Sequence, residues 1–217
     1  MYKRQAVNTP WTQKGYALVA LKQNASIMPQ AISVWCQELG HEVFYAAYYG
    51  QSDPKRLLPD DLDLVFVSCH TQASPLAYAL AKLYRRENTV SIVGGAHARG
   101  FPIDCLRFFD VVVGHCDRSL ITEILHEPPL GQIVTSGRAL QDLPAVEERM
   151  PYIRASNFWR GRPFPLASIP LLTSTGCPYS CDFCVDWNTP YVPLPLEKLE
   201  LDLRFIAREF PGVLVAF

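Results

Sequence analysis

The segment LVFVSCHTQASPLAYALAKLYRRENTVSIVGG, residues 64–95, carries the clearest structural signal in this chain of 217 residues. Its two apolar runs, Leu64–Ser68 and Val90–Val93, are rich in β-branched residues, as is typical of strands buried on both faces of a parallel sheet. Between them, Ser74 followed by Pro75 is a helix-start signal. A strand, a helix and a second strand in this order predict a parallel α/β sheet, because parallel strands need a crossover connection.

The same alternation continues on both sides of this segment. We predict further strands at Ala17–Leu21, Val43–Tyr48 and Val111–Val113. Helices are predicted between them, and Asp117 or Ser119 caps the last one. Strands with intervening helices predict a doubly wound, flavodoxin- or Rossmann-like parallel sheet, whose ligands bind where loops leave the carboxyl ends of the strands.

Four segments are predicted along the chain: an N-terminal extension at 1–14, the α/β domain at 15–126, a linker at 127–167 and a second unit at 168–217. The linker prediction rests on prolines, turns and a shortage of periodic segments. The second unit is predicted to contain a strand at Ile169–Thr175, a loop with three cysteines, a helix from about Leu196 to Phe210 and a final strand at Val213–Phe217.

Composition excludes several functional classes. Hydrophobic residues make up 49% of the chain and charged residues 19%, and the formal net charge is −1. Such a chain can bury a core, and it has no long basic run of the kind that tracks phosphates, so we do not expect nucleic acid as a partner. The early apolar stretch at 16–21 is too short for a signal peptide or a membrane span. We therefore expect a soluble, cytoplasmic protein that has no membrane partner.

The loop TSTGCPYSCDFCVDW, residues 173–187, places Cys177, Cys181 and Cys184 in a CxxxCxxC pattern directly after a predicted strand. Three thiolates on one short loop can hold three corners of a cubane iron–sulfur cluster and leave one iron open, since a self-contained cluster needs a fourth ligand. A structural zinc site is the first alternative, although no Cys or His follows Cys184 to complete it. A chance cluster of unliganded thiols is the second.

This loop resembles the signature of the radical SAM superfamily, CxxxCxΦC, with Phe183 as the aromatic Φ. The resemblance covers residues 168–217 and implies the first strand-helix-strand portion of a partial TIM barrel. It implies a 4Fe-4S cluster on Cys177, Cys181 and Cys184, whose open iron binds S-adenosyl-L-methionine. The reduced cluster then releases a 5′-deoxyadenosyl radical from that cofactor. The resemblance also places Phe183 near the adenine, with a plain packing role as the alternative.

Two segments of the first domain, FVSCHTQASPL and SIVGGAHARG, resemble the cobalamin-binding domain of cobalamin-dependent radical SAM enzymes. Paired glycines after a strand let the backbone approach a bulky ligand. The alternative is a flavodoxin-like domain that has no cofactor. The resemblance implies that a cleft for the nucleotide tail of cobalamin is lined by Ser68, Thr71, Gly94, Gly95 and His97.

The first domain departs from that resemblance in two places. The region LKQNASIMPQAIS, residues 21–33, has no DxHxxG motif, so any cobalamin would lack the histidine ligand that this motif supplies. In VVVGHCDRSL, His115 and Cys116 stand where relatives carry an acidic residue.

Together these resemblances imply a cobalamin-dependent radical SAM enzyme, most simply a methyltransferase acting on an unactivated centre of a small-molecule substrate. An electron donor such as flavodoxin or ferredoxin is then implied. Two alternatives stay open: a non-catalytic module that binds a cluster or cofactor, and a radical SAM methylthiotransferase. Because residues 1–217 supply only two strands of a barrel, we expect them to bind a cluster but to need downstream sequence for turnover.

Overall fold

The computed structural model describes residues 2–4, 26–48, 50, 53–85, 88–159, 162–163, 168–185 and 189–217. Its main sheet has six parallel strands in the order β2-β1-β3-β4-β5-β6. They are β1 (Tyr2–Arg4), β2 (Tyr45–Ala47), β3 (Leu64–Ser68), β4 (Val90–Gly94), β5 (Val111–Val113) and β6 (Gln132–Val134). The α/β class with a parallel, Rossmann-like sheet is thereby confirmed.

Helices connect the strands of the sheet and continue into the second unit. Two of the α/β connections also include short 3₁₀ turns, at Pro54–Arg56 and Thr71–Ala73. The helices are α1 (Ile27–Glu38), α2 (Ser74–Arg85), α3 (Ala96–Gly100), α4 (Pro102–Leu106), α5 (Arg118–His126), α6 (Val146–Asn157) and α7 (Leu196–Glu209).

Both faces of the sheet are covered, and each face packs against its own core. Successive strand residues contribute to these two cores in turn, since their side chains point to opposite faces. Val65 and Val67 of β3 face a core that includes Tyr84 of α2. Phe66 lies between them in sequence and faces a second core, which includes Trp35 of α1 and the α5 residue Ile121. This two-sided burial is why the strands read as continuous apolar runs rather than alternating ones.

The predicted strands at Leu64–Ser68 and Val111–Val113 are confirmed with the same bounds. The strand predicted at Val90–Val93 extends by one residue, whereas the one predicted at Val43–Tyr48 is shorter at both ends. The strand predicted at Ala17–Leu21 lies outside the described residues. Within the described part of the chain, β1 stands between β2 and β3.

Residues 127–167, which we predicted to be a linker, contain four elements: β6, α6 and the two short strands at Phe158–Trp159 and Arg162–Pro163. Strand β6 pairs with β5 along its whole length. It lies at the edge of the sheet, where Gln132 and Ile133 are exposed, so its sequence lacks the apolar run of a buried strand. Helix α6 buries Val146, Met150 and Ile153 on one face, but Pro151 and the buried Arg149 interrupt the usual apolar helical pattern in its sequence.

The second unit differs from its prediction at its first strand. The strand expected at Ile169–Thr175 is interrupted: β9 covers Ser168–Pro170 and β10 covers Ser174–Thr175. Strand β9 pairs in parallel with β12, Leu214–Ala216, and α7 connects the two. Two residue pairs join the strands β7 (Phe158–Trp159) and β8 (Arg162–Pro163), and β10 pairs antiparallel with β11 (Val192–Pro193).

The interruption has a physical reason. Strand β10 turns away from β9 to form a short antiparallel ladder with β11, in which Ser174 faces Pro193 and Thr175 faces Val192. The backbone N–H of Leu194 donates to the carbonyl of Thr173 at 2.8 Å and extends this ladder by one bond. The cysteine loop therefore begins and ends at one hydrogen-bonded base.

Helix α6 joins the two units through a buried polar cluster. Arg149 is fully buried, and it donates to the Pro144 carbonyl at 3.0 Å and to Oε1 of Gln30 in α1 at 2.9 Å. Nearby, Asp202 of α7 accepts from the backbone N–H of Val146 at 2.7 Å. Burial lowers the pKa of Arg149 to about 10, although Asp202 favours the charged form. These contacts fix the second unit against α1.

Candidate functional site

A cavity of about 800 Å³ lies at the carboxyl ends of β3, β4 and β5. Its other walls come from the first turns of α1, from residues 136–140 and from the cysteine loop. Ligands of parallel α/β sheets bind at this edge, because the loops that leave the strands form a crevice there. The cysteine loop and the strand ends of the α/β domain therefore share one cavity.

Three of the five residues expected to contact cobalamin line this cavity: Ser68, Gly94 and Gly95. Gly95 has φ of +95°, and a Cβ added there would lie 2.7 Å from the Ser68 hydroxyl. Gly94 has neither restriction, since its nearest non-neighbouring atom would be 3.6 Å away, an ordinary contact. Gly95 is thus required by the packing of the strand ends themselves, whereas a Cβ at Gly94 would be tolerated at ordinary contact distance.

The other two, Thr71 and His97, do not line the cavity in the described residues. His97 is 4% exposed, and its Nε2 lies 2.8 Å from the Tyr78 hydroxyl. That hydroxyl donates its proton to Asp104 at 2.6 Å, so it accepts from Nε2–H of His97. Nδ1 of His97 lies 3.4 Å from the Thr71 hydroxyl. The structure therefore joins Thr71 and His97 to each other and to α2, away from the cavity.

Burial lowers the pKa of His97, although Asp104 favours its charged form. Burial is also the largest cause that raises the pKa of Tyr78, followed by its hydrogen bond to Asp104. Both groups are therefore neutral near pH 7. The cluster holds α3 against α2 and so fixes the start of the loop that forms one cavity wall.

Two of the three cysteines of the CxxxCxxC loop, Cys177 and Cys184, line the cavity. Cys181 is exposed, and its carbonyl accepts from the backbone N–H of Cys184 at 3.1 Å, which closes a turn between them. Gly176, just before the first cysteine, has φ of +69°, and an added Cβ would overlap the carbonyl of Pro190. This close approach requires glycine at 176 and sets where the loop begins.

The three thiols do not form a ligand cluster in this conformation. No three Cys, His, Asp or Glu side chains among the described residues are close enough together to hold a metal ion. The donor set itself, three thiolates on one short loop, is the set that iron–sulfur clusters use. Cluster binding to such a set is coupled to the local folding of the loop that carries the thiols.

The aromatic residue of the loop, Phe183, is 87% exposed. Its ring is not part of a hydrophobic core in the described residues, which argues against the plain packing role. Tyr179 in the same loop is also exposed, at 72%. The loop thus carries aromatic groups in positions that a ligand could cover.

Sequence reasoning missed the charge of the cavity wall. Arg99 and Arg138 line the cavity, together with His70 and His115. Nε2 of His115 lies 3.3 Å from the Thr189 hydroxyl, which places it against the end of the cysteine loop. Each of these four residues follows a strand within a few residues, and this position in the sequence could have identified them as candidates for the cavity wall.

Cys116 also lines the cavity, although it belongs to no sequence motif. Burial raises the pKa of its thiol to about 12, with a further increase from Asp117 and an opposing effect from Arg99. The thiol is therefore protonated and a weak nucleophile near pH 7. Cys36, Cys69 and Cys105 are buried in the cores.

No helix in the described parts of the chain is long and apolar enough to cross a membrane.

Over 132 residues the chain is 30% identical to bacteriochlorophyllide d C-8(2)-methyltransferase of Chlorobaculum tepidum. The matched segment is 59% of this chain and 29% of that protein, so the chain spans under a third of the relative's length. No protein-family profile and no solved structure matches the chain. A methyltransferase is thus among its distant relatives, which supports an enzyme and methyl transfer at the level of the family.

Proposed function

We propose that this protein belongs to a cobalamin-dependent radical SAM methyltransferase that acts on a flat, largely apolar substrate. The observation that carries the proposal is the shared cavity: the strand ends of the α/β domain and the CxxxCxxC loop face the same space. Methyl transfer from a corrinoid requires its carrier and a radical source to meet at one substrate. A cavity formed jointly by the two segments provides that meeting point.

In this proposal Cys177, Cys181 and Cys184 hold a 4Fe-4S cluster, and Phe183 covers the adenine of S-adenosyl-L-methionine. When bound, the cluster supplies reductive cleavage of S-adenosyl-L-methionine to a 5′-deoxyadenosyl radical, and the corrinoid supplies a methyl group. The residues of the chain ligate, orient and exclude water, since the reactive chemistry belongs to the cofactors.

The strand ends suit a bulky corrinoid. Gly94 and Gly95 present backbone without side chains at the cavity wall, which lets a bulky ligand approach the strand ends closely. Ser68 lines the same wall, and we propose it as a hydrogen-bond partner for the nucleotide tail. Thr71 and His97 act indirectly in this proposal, by fixing the loop after β4.

The walls suit a flat apolar substrate. Apolar side chains from α1, three strands of the main sheet and the 136–140 segment line the cavity, which is typical of sites that bind organic ligands. The relative's name states that it methylates a bacteriochlorophyllide, and we extend that substrate class, a tetrapyrrole macrocycle, to this chain. The lining residues that form the apolar surface include Met28, Ile32, Phe66, Ile92 and Leu140.

The first experiment measures cluster binding. Anaerobic reconstitution with iron and sulfide should load about four irons per chain. Cys181→Ala should abolish the visible absorption of the cluster, whereas Cys36→Ala, in a buried position outside the loop, should retain it. A stable four-coordinate zinc protein that never shows cluster absorption would exclude the proposal in favour of a zinc site.

A second candidate is a non-catalytic module that binds a cluster or cofactor without turning over a substrate. Anaerobic incubation of the reconstituted protein with dithionite and S-adenosyl-L-methionine separates the two. Formation of 5′-deoxyadenosine supports the enzyme, and cluster binding with no cleavage in the complete natural protein supports the module.

The structure gives no support to a methylthiotransferase, which needs three cysteines for a second cluster in its first domain. Cys69 and Cys105 lie in the core on one face of the sheet, whereas Cys36 lies in the core on the other face. Thiols on opposite sides of a sheet cannot bind one cluster.

A further inference from the structure

The charged side chains that line the cavity are all basic. Arg99 and Arg138 contribute two permanent positive charges, and His70 and His115 can add more when protonated. Among the described residues that line the cavity there is no aspartate or glutamate. The chain as a whole is almost neutral, with twenty basic and twenty-one acidic residues, so this one-sided wall is not a consequence of overall composition.

Arg99 occupies the most constrained position of the four. It belongs to the short α3, which begins directly after Gly95, and its backbone N–H donates to the Gly95 carbonyl at 3.2 Å. The Tyr78–His97 hydrogen bond ties the same helix to α2. On the other side, a Cβ on Gly100 would lie 3.2 Å from the side chain of Val185, so the cysteine loop packs closely against α3. Arg99 therefore lies where the strand ends meet the cysteine loop.

The surroundings of Arg99 strengthen its field. It is half-buried, and its charge lowers the pKa of the Cys116 thiol, against the larger raising effects of burial and Asp117. Neighbouring walls contributed by Ile92 and Val113 are apolar, and a charge beside apolar walls is less screened than one in water. A guanidinium presents a planar fork of donors that matches the two oxygens of a carboxylate or phosphate.

We propose that Arg99 binds an oxyanion, either a carboxylate or a phosphate ester, of the molecule that occupies this cavity. The identity of that molecule rests on the proposed function, which offers two sources. One is a carboxylate on the macrocyclic substrate, and the other is the phosphodiester in the nucleotide tail of cobalamin. In either case Arg99 fixes the orientation of an otherwise apolar ligand, because the apolar wall alone does not distinguish one end of a flat molecule from the other.

The test uses two ligand pairs and needs no cluster. Pyropheophorbide a and its methyl ester are chlorins that differ by one negative charge, and fluorescence titration measures their binding. Hydroxocobalamin and cobinamide differ by the nucleotide tail with its phosphodiester, and absorbance titration measures theirs. Three variants are compared with the natural protein: Arg99→Gln, Arg99→Lys and, as a control that removes one exposed charge outside the cavity, Arg204→Gln.

If the anion is a carboxylate, the natural protein binds the chlorin acid more tightly than its ester. Arg99→Gln then lowers the affinity for the acid about tenfold or more and leaves the affinity for the ester unchanged. If the anion is a phosphodiester, Arg99→Gln lowers the affinity for hydroxocobalamin by a similar factor and leaves the affinity for cobinamide unchanged. Arg99→Lys should restore part of the lost affinity, since the charge remains but the fork does not. Arg204→Gln should match the natural protein throughout.

The idea is overturned if the natural protein shows neither preference, if the preference survives Arg99→Gln, or if no probe binds. Unchanged binding of the neutral ester also shows that Arg99→Gln is folded. Cluster loading and cleavage of S-adenosyl-L-methionine are measured separately, so a failure of the radical SAM proposal leaves the result for Arg99 readable.

Discussion

Replacing Tyr78 with phenylalanine removes one hydroxyl group and tests the hydrogen bonds among Tyr78, His97 and Asp104 that support the cavity wall. The Tyr78 hydroxyl donates to Asp104 at 2.6 Å and accepts from His97 at 2.8 Å. Asp104 has a side chain 44% exposed, so water can replace the lost donor there. His97 is 4% exposed, so its Nε2–H is left without an acceptor.

The expected cost follows from that asymmetry. A buried donor left unsatisfied costs about 1–3 kcal/mol, and the ring itself remains packed on Phe108 because phenylalanine has the same shape. For a chain of this size each kcal/mol lowers the melting temperature by about 2–4 °C. Urea unfolding followed by circular dichroism measures the loss, with Tyr179→Phe as the control because Tyr179 is 72% exposed.

The same substitution has a pH signature. The pKa of Tyr78 is raised above its ordinary value of 10.0, mainly by burial, so the folded state holds this proton more tightly than the unfolded state does. The corresponding stability is complete below pH 10 and is lost as the pH rises above it. Tyr78→Phe should therefore show a smaller loss of stability between pH 9 and pH 11 than the natural protein. Equal stability of the two proteins at pH 7, within about 0.5 kcal/mol, would refute the assigned hydrogen bonds.

Two further substitutions test the cavity wall and the contact between the units. Gly95→Ala should destabilise the fold by about 1–3 kcal/mol because its φ of +95° and the nearby Ser68 hydroxyl both oppose a side chain, whereas Gly94→Ala should cost under about 1 kcal/mol. Thermal unfolding of the pair measures this, and equal losses would contradict the geometry. Arg149→Ala should cost about 3–5 kcal/mol, since it leaves Oε1 of Gln30 without its donor and removes the positive charge near the buried Asp202, and Arg149→Met should cost clearly less. Urea unfolding compares these two, and a more stable Ala variant would contradict the role of the buried cation.

The sheet was predictable where burial leaves a plain signal. Leu64–Ser68 and Val111–Val113 are apolar on both faces because helices cover both sides, so their runs stand out in the sequence. The three-residue β1 and the exposed β6 carry no such run, since a short or edge strand is specified by pairing rather than by its own composition.

The sequence predicted which residues lie at the strand ends, but it did not predict which way their side chains point. Position after a strand placed Ser68, Gly94 and Gly95 on the cavity, because any residue at a strand end lies near that edge. The same reasoning grouped His97 with them, yet its side chain joins Tyr78 on the opposite side of α3. Arg99, two residues later, lines the cavity. Which side of a short helix a residue occupies depends on the turn that starts it, and the sequence pattern did not specify that turn.

The ladder between β10 and β11 affects the entropy of the cluster binding proposed above. Because Ser174 and Thr175 are paired with Pro193 and Val192, the two ends of the cysteine loop are held together before any ligand binds. Bringing the thiols together therefore costs no further entropy for joining the ends of the loop. Closure entropy grows slowly, by about 0.6 kcal/mol for each doubling of loop length, so the length of the loop would add little to this cost. Loss of the ladder would instead raise the cost of every binding event at this loop.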